Sequence, residues 1–127
     1  MRLAIDTNRY RDLTDGDPDV VDVLERAEEI FVPFVVVAEL RGGFAVGRKG
    51  LDNERALQRF LAKDAVSVLL PSDATTHVYA TLYRQLRKQG TPIPTHDLWI
   101  AALTVEHSLT LFSRDQHFDH LPQIERL

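Results

Sequence analysis

The 127-residue sequence contains no cysteine, no long apolar run and no excess of positive charge. The absence of cysteine excludes disulfides, thiolate nucleophiles and thiolate metal ligands, and it makes a reducing cytoplasm the expected compartment. No apolar run approaches the roughly 20 residues that a membrane-spanning helix needs. The opening residues "MRLAIDTNRY" meet a charge too early for a signal peptide. We therefore expect a cytoplasmic protein that does not associate with membranes.

Composition and charge distribution narrow the class of protein further. The length, with 44% hydrophobic and 27% charged residues, indicates one globular domain spanning residues 1–127. The net charge is −4, but residues 41–63 carry six basic and two acidic side chains. A local charge of this sign can steer a polyanion to one face, although a solvated helix face explains it equally well. Arg41, Arg48 and Lys49 are the candidate substrate-binding residues of this segment.

Predicted strands and helices alternate along the chain. The hydrophobic patterns predict strands at residues 3–6, 29–33, 65–71 and 108–115, with a short last strand within 122–127. Helices are expected from Asp17 onward, after Pro33, and at residues 53–64, 72–90 and 95–107, where Gly90 ends the fourth of them. This alternation predicts a three-layer α/β/α domain with a mainly parallel sheet of four to five strands.

Four acidic residues lie beside apolar sequence instead of in solvated runs. Asp6 ends the first strand and Asp115 follows the strand "LTLFS", so both are expected at the carboxyl edge of the sheet, where ligands usually bind. Asp97 opens an apolar helix, and Glu39 lies within another. Each has an ordinary explanation by itself: a turn residue, an exposed helix position or, for Asp97, a favourable helix dipole worth roughly 0.3–1 kcal/mol. Their joint placement favours a shared site.

Clustered carboxylates repel one another, and each is costly to keep ionised away from water. A divalent cation relieves both effects, and Mg²⁺ or Mn²⁺ prefers oxygen ligands of this kind. Such a site suits phosphodiester hydrolysis, because the metal lowers the pKa of a bound water and neutralises charge in the transition state.

Four motifs carry a resemblance to a known family. "IDTN" resembles the acid at the end of the first strand of PIN-domain ribonucleases of the VapC toxin type, and "VPFVVVAEL" resembles their glutamate-bearing helix. "IPTHDLWIAA" resembles the segment with their third acid, and "LFSRDQHF" resembles their final (Ser/Thr)-x-Asp signature, which ends in an aromatic residue. The order and spacing match from the first residues nearly to the last.

The resemblance implies a metal-dependent endoribonuclease with Mg²⁺ or Mn²⁺ as cofactor. The implied catalytic and metal-binding residues are Asp6, Glu39, Asp97 and Asp115. Asn8 and Ser113 fall on positions that support the site through hydrogen bonds. The family further implies an RNA substrate, a homodimer and a cognate antitoxin that blocks the acidic pocket with its tail, often with an arginine.

Two histidines depart from the family pattern. His96 stands where an amide or small polar residue is common, and His117 stands where some relatives carry a further acid, so the site has one acidic ligand fewer than in those relatives and could hold one metal instead of two. A zinc site is an alternative, since "HFDH" places His117 and His120 three residues apart near Asp115, but no third clear ligand supports it.

Two further alternatives come from other classes of protein. A receiver domain also gathers acids around Mg²⁺, but it would require paired acids near the first strand and a lysine after a late strand, and the sequence has neither. A PIN-like module that binds RNA or a protein without cutting is the stronger rival. The four mutually repelling carboxylates argue against it, because a binding module has no use for them.

Overall fold

The computed structural model comprises residues 1–127 and contains a five-stranded parallel sheet with six α-helices. The strands are β1 (Arg2–Ile5), β2 (Glu29–Pro33), β3 (Val66–Leu69), β4 (Thr110–Phe112) and β5 (Glu125–Arg126), in the order β3-β2-β1-β4-β5. The helices are α1 (Thr7–Thr14), α2 (Pro18–Arg26), α3 (Phe34–Val46), α4 (Gly50–Leu61), α5 (Asp73–Gln89) and α6 (Thr95–Glu106), and a 3₁₀ helix spans Gln116–His120. The predicted three-layer α/β/α architecture is confirmed, and no helix has the length and apolarity to cross a membrane.

The central strand β1 determines which residues meet at the carboxyl edge of the sheet. Leu3, Ala4 and Ile5 are fully buried, because a parallel strand with a neighbour on each side and helices over both faces has no solvated side. Pairing of Ile5 with Phe112 aligns the ends of β1 and β4. The residues that follow these two strands therefore emerge next to each other at the carboxyl edge of the sheet.

Helix α1 was not predicted from the sequence. It begins directly after β1, and the side chain of Asp6 accepts a hydrogen bond from the backbone N–H of Thr7 at its start. Only Thr7 and Tyr10 are buried along the helix, so the sequence has no apolar stripe that would indicate it. The predicted end of α5 at Gly90 is confirmed, since Gly90 adopts the left-handed conformation that glycine tolerates best (φ 73°).

Candidate metal-dependent active site

A polar cavity of about 300 Å³ lies at the carboxyl edge of the sheet. No hydrophobic side chain lines it, and its lining consists of Asp6, Thr7, Asn8, Arg11, Glu39, His96, Asp97, Arg114 and Asp115. All four acids that the sequence singled out are among these residues. They come from four separate elements, because Asp6 follows β1, Glu39 lies on α3, Asp97 lies on α6 and Asp115 follows β4.

Asp6 is held by hydrogen bonds to both of its carboxylate oxygens and is only 5% exposed. Its Oδ1 accepts from the N–H of Thr7 at 2.7 Å, and its Oδ2 accepts from the hydroxyl of Ser113 at 2.7 Å. The amide of Asn8 donates more weakly to the same Oδ2 at 3.4 Å. Asn8 and Ser113 thus contact Asp6 at the positions where the sequence placed supporting residues.

Asp97 lies in the first turn of α6, is 2% exposed and makes no capping hydrogen bond to the helix backbone. Its two oxygens face two imidazoles instead: Oδ1 lies 3.2 Å from Nε2 of His96, and Oδ2 lies 2.7 Å from Nδ1 of His117. Capping therefore does not account for its position, although the helix dipole still favours a negative charge there.

Asp115 lies in the loop between β4 and the 3₁₀ helix. The backbone N–H of Asp115 donates to the hydroxyl of Ser113 at 3.1 Å, and its carboxylate accepts from the N–H of His117 at 2.9 Å. Arg126 on β5 donates to the carbonyl oxygens of Ser113 at 2.9 Å and of Asp115 at 3.0 Å. A single guanidinium therefore holds the backbone on which Asp115 is mounted.

Glu39 lies on an apolar helix, and the sequence left open whether its side chain is exposed. Helix α3 buries Val36, Val37 and Leu40, but Glu39 is exposed and reaches the cavity from its rim. Its Oε2 accepts a hydrogen bond from the hydroxyl of Thr7 at 3.1 Å. The sequence did not decide this because periodicity does not reveal which part of a mostly apolar helix passes a polar cavity.

Burial raises the pKa of Asp6 and of Asp97 above the usual range for aspartate. For Asp6, hydrogen bonds from Ser113 and Thr7 partly offset this, and the neighbouring charges of Asp97 and Asp115 add to it. For Asp97, the hydrogen bond to His117 and the charge of His96 act against burial, and Asp115 acts with it. Both carboxylates are thus costly to ionise without a cation nearby.

The expected basic residues do not line the cavity. Arg41 forms a bidentate pair with Glu54 at 2.9 and 3.1 Å, and Arg48 and Lys49 are exposed between α3 and α4. Arg11 and Arg114 line the cavity in their place. Recognition of α1 would have indicated Arg11, which lies one helical turn beyond Thr7, on the side of Asp6.

The zinc and receiver alternatives lose support. His120 is exposed, and its ring is not part of the donor group in which Asp97, Asp115 and His117 each contribute one atom within 4.8 Å of the others. The strand order β3-β2-β1-β4-β5 also differs from the 2-1-3-4-5 order of receiver-type sheets.

The donor chemistry fits a divalent cation. Four carboxylates line one cavity, and Oδ1 of Asn8 is a buried acceptor with no hydrogen-bond partner. Hard cations take oxygen ligands of these two types. These features define the class of protein: a parallel α/β domain with an acidic cation site at the carboxyl edge of its sheet.

Comparison with known proteins identifies the family. Residues 3–124 match the PIN domain family. Ribonuclease VapC1 of Haemophilus influenzae (strain R2866) is 30% identical over 126 residues, which cover 90% of this chain and 92% of the relative. Toxin FitB of Neisseria gonorrhoeae is 32% identical over 92 residues, covering 69% and 66%. The structure of VapBC2 from Rickettsia felis bound to a promoter DNA fragment superposes with a TM-score of 0.88 at 25% identity, covering 100% and 98%. The chain belongs to the PIN domain family, in its VapC-type group.

Proposed function

We propose that this protein is a metal-dependent endoribonuclease that hydrolyses RNA phosphodiester bonds as the toxin of a toxin–antitoxin pair. The observation that carries the proposal is the convergence of Asp6, Glu39, Asp97 and Asp115 on one wholly polar cavity. The relatives named ribonucleases indicate RNA as the substrate. A binding module without catalysis is the remaining alternative.

In this proposal, Asp6, Asp97, Asp115 and Glu39 hold Mg²⁺ or Mn²⁺. The cation would supply a water of lowered pKa and neutralise the charge that develops on the phosphate. Asp6 can accept a cation without losing its hydrogen bonds, because a carboxylate oxygen has two acceptor sites and Oδ1 accepts only from Thr7. Glu39 keeps Oε1 available, since Thr7 engages only Oε2.

Positive charge at the cavity would orient the RNA backbone. Arg11 and Arg114 lie in the lining, where guanidinium groups can donate to phosphate oxygens. Arg114 is also paired with Asp12 at 3.0 Å, which fixes its position beside the site. Arg48 and Lys49 lie outside the lining and, in this proposal, attract the polyanion over a longer range.

The protein is expected to act in the cytoplasm as a homodimer controlled by a separate antitoxin chain. The VapBC2 structure has a similar fold, and VapBC is the name of a family of toxin–antitoxin systems, so this likeness supports such a partner. An arginine of the antitoxin would find an anionic pocket, since the cavity contains four carboxylates and two arginines.

Cleavage of a structured RNA mixture tests the proposal. Purified protein is incubated with Mn²⁺, with Mg²⁺ and with chelator, beside the variants Asp6→Asn and Asp64→Asn. Asp64 is an exposed aspartate in the turn before β3 and serves as the matched control. We expect metal-dependent cuts that Asp64→Asn retains and Asp6→Asn loses. Cutting that survives Asp6→Asn contradicts the site, and metal binding without cutting by the wild-type protein supports the binding module.

A further inference from the structure

His117 lies beside the acidic cavity, against two of the proposed metal-binding carboxylates; the sequence placed it where some relatives carry an acid and in an alternative zinc site with His120. Its Nδ1 is 2.7 Å from Oδ2 of Asp97 and 3.2 Å from Oδ1 of Asp115. One donor atom from each of Asp97, Asp115 and His117 lies within 4.8 Å of the other two, close enough for the three to hold one metal ion. One imidazole nitrogen therefore faces two of the four proposed catalytic carboxylates.

The separations match those of donors that share one cation. Ligand atoms at adjacent positions of an octahedral Mg²⁺ or Mn²⁺ lie about 3 Å apart, because each is roughly 2.1 Å from the metal. The two nitrogen–oxygen distances bracket this value. The contact of Nδ1 with Asp97 is a hydrogen bond when the neutral ring carries its proton on Nδ1; the other tautomer, with the proton on Nε2, presents the Nδ1 lone pair as such a donor.

The position of the ring is set by the backbone. The N–H of His117 donates to the carboxylate of Asp115, which caps the 3₁₀ helix, and the next residue, Phe118, is anchored in the core at 1% exposure. Arg126 holds the preceding loop through the carbonyls of Ser113 and Asp115. His117 is therefore presented to the carboxylates by structure on both sides of it.

We propose that His117 is a nitrogen ligand of the catalytic cation and that it contributes more to the binding of Mn²⁺ than to that of Mg²⁺. This inference rests on the proposed metal-dependent function. Mg²⁺ binds almost only oxygen and gains little from an imidazole, whereas Mn²⁺, although the weakest nitrogen binder among the first-row divalent cations, still accepts an imidazole more readily than Mg²⁺ does.

Pulsed electron paramagnetic resonance of bound Mn²⁺ tests the ligand directly, without RNA. Untagged protein loaded with Mn²⁺ is compared with protein labelled with ¹⁵N-histidine. We expect a directly coordinated nitrogen signal that changes with the isotope and disappears in His117→Ala. His120→Ala is the matched control, since His120 is exposed at the end of the same 3₁₀ helix and its ring lies outside the donor group.

Binding titrations with each metal test whether His117 contributes more to Mn²⁺ binding than to Mg²⁺ binding. We expect His117→Ala to weaken Mn²⁺ binding by about tenfold or more, and to weaken Mg²⁺ binding much less. His117→Asp should retain Mg²⁺ binding and lose the nitrogen signal. A nitrogen signal that survives His117→Ala, which would point to His96, or equal losses for both metals would overturn the inference. Bound Mn²⁺ without any nitrogen signal overturns it while leaving the proposed function intact, whereas no metal binding by the wild-type protein contradicts both.

Discussion

The acidic cavity and the basic segment at residues 41–63 differ in how their charges are held. In the cavity, Asp6 and Asp97 are 5% and 2% exposed and have hydrogen-bond or ion-pair partners at 2.7 to 3.2 Å. In the segment, Arg48 and Lys49 are exposed and have no ion-pair partner. A buried carboxylate costs free energy to ionise, but its hydrogen bonds fix its position, so it can act on one particular bond. An exposed charged side chain costs little to ionise and is screened by salt, so it can only attract the RNA from a distance.

The largest effect is expected from Asp97→Asn. Loss of this carboxylate should lower the rate of RNA cleavage by at least about 100-fold, beyond the range of residues that only orient a ligand. Asp52→Asn is the matched control, because Asp52 is also an acid in the first turn of a helix but is exposed on α4. Equal losses in the two variants would show that the helix dipole, and not the site, explains Asp97.

Arg126→Met should reduce both Mn²⁺ affinity and cleavage rate by about tenfold, because the Asp115 loop loses the donor that holds two of its carbonyl oxygens. Arg126→Lys should recover part of both losses, since an ammonium group can still donate to one carbonyl. Arg26→Met removes an exposed helix-surface ion pair and serves as control. Full metal affinity in folded Arg126→Met would show that the loop keeps its geometry unaided.

Asp6→Asn should stabilise the metal-free protein while abolishing its activity. The pKa of Asp6 is raised by burial, so the unfolded state releases this proton more readily and ionisation destabilises the folded state as the pH rises through the raised pKa. The gain in melting temperature should therefore be larger at pH 7 than at pH 4, and 1 kcal/mol corresponds to roughly 4 °C in a domain of this size. Thermal unfolding in chelator at both pH values measures it, and saturating Mn²⁺ should reverse the order of the two proteins.

The smallest effect is expected from replacing Arg48 and Lys49 together by glutamine. The KM for RNA should rise about two- to fivefold at low salt with kcat unchanged, and the salt dependence of KM should become shallower. Replacing Arg84 and Lys88 by glutamine changes the same charge on the exposed surface of α5 and serves as control. A large fall in kcat for the first variant would place these residues at the reacting phosphate.

Much of the fold was accessible from the sequence because its signals are local. Pro33 and Gly90 mark the start of α3 and the end of α5 through backbone chemistry that needs no distant partner. The strands were also found near their predicted places. Helix α1 was not predicted, because it buries only two residues and therefore has no periodic hydrophobic pattern. The sequence pattern did not settle whether Glu39 is exposed, because its exposure depends on the cavity beside α3 and not on α3 itself.

The sequence by itself determined the α/β alternation and the placement of acids after β1 and β4, because strand ends and turns depend on residues adjacent in the chain. The family resemblance indicated Ser113 as a supporting residue, but only the tertiary structure decided which acid each supporting side chain contacts. Ser113 reaches Asp6 across 107 positions, His117 meets Asp97 across 20, and Arg126 holds the Asp115 loop from β5. Such contacts depend on strand order and register, which bring distant residues to one edge of the sheet, and no local pattern encodes them.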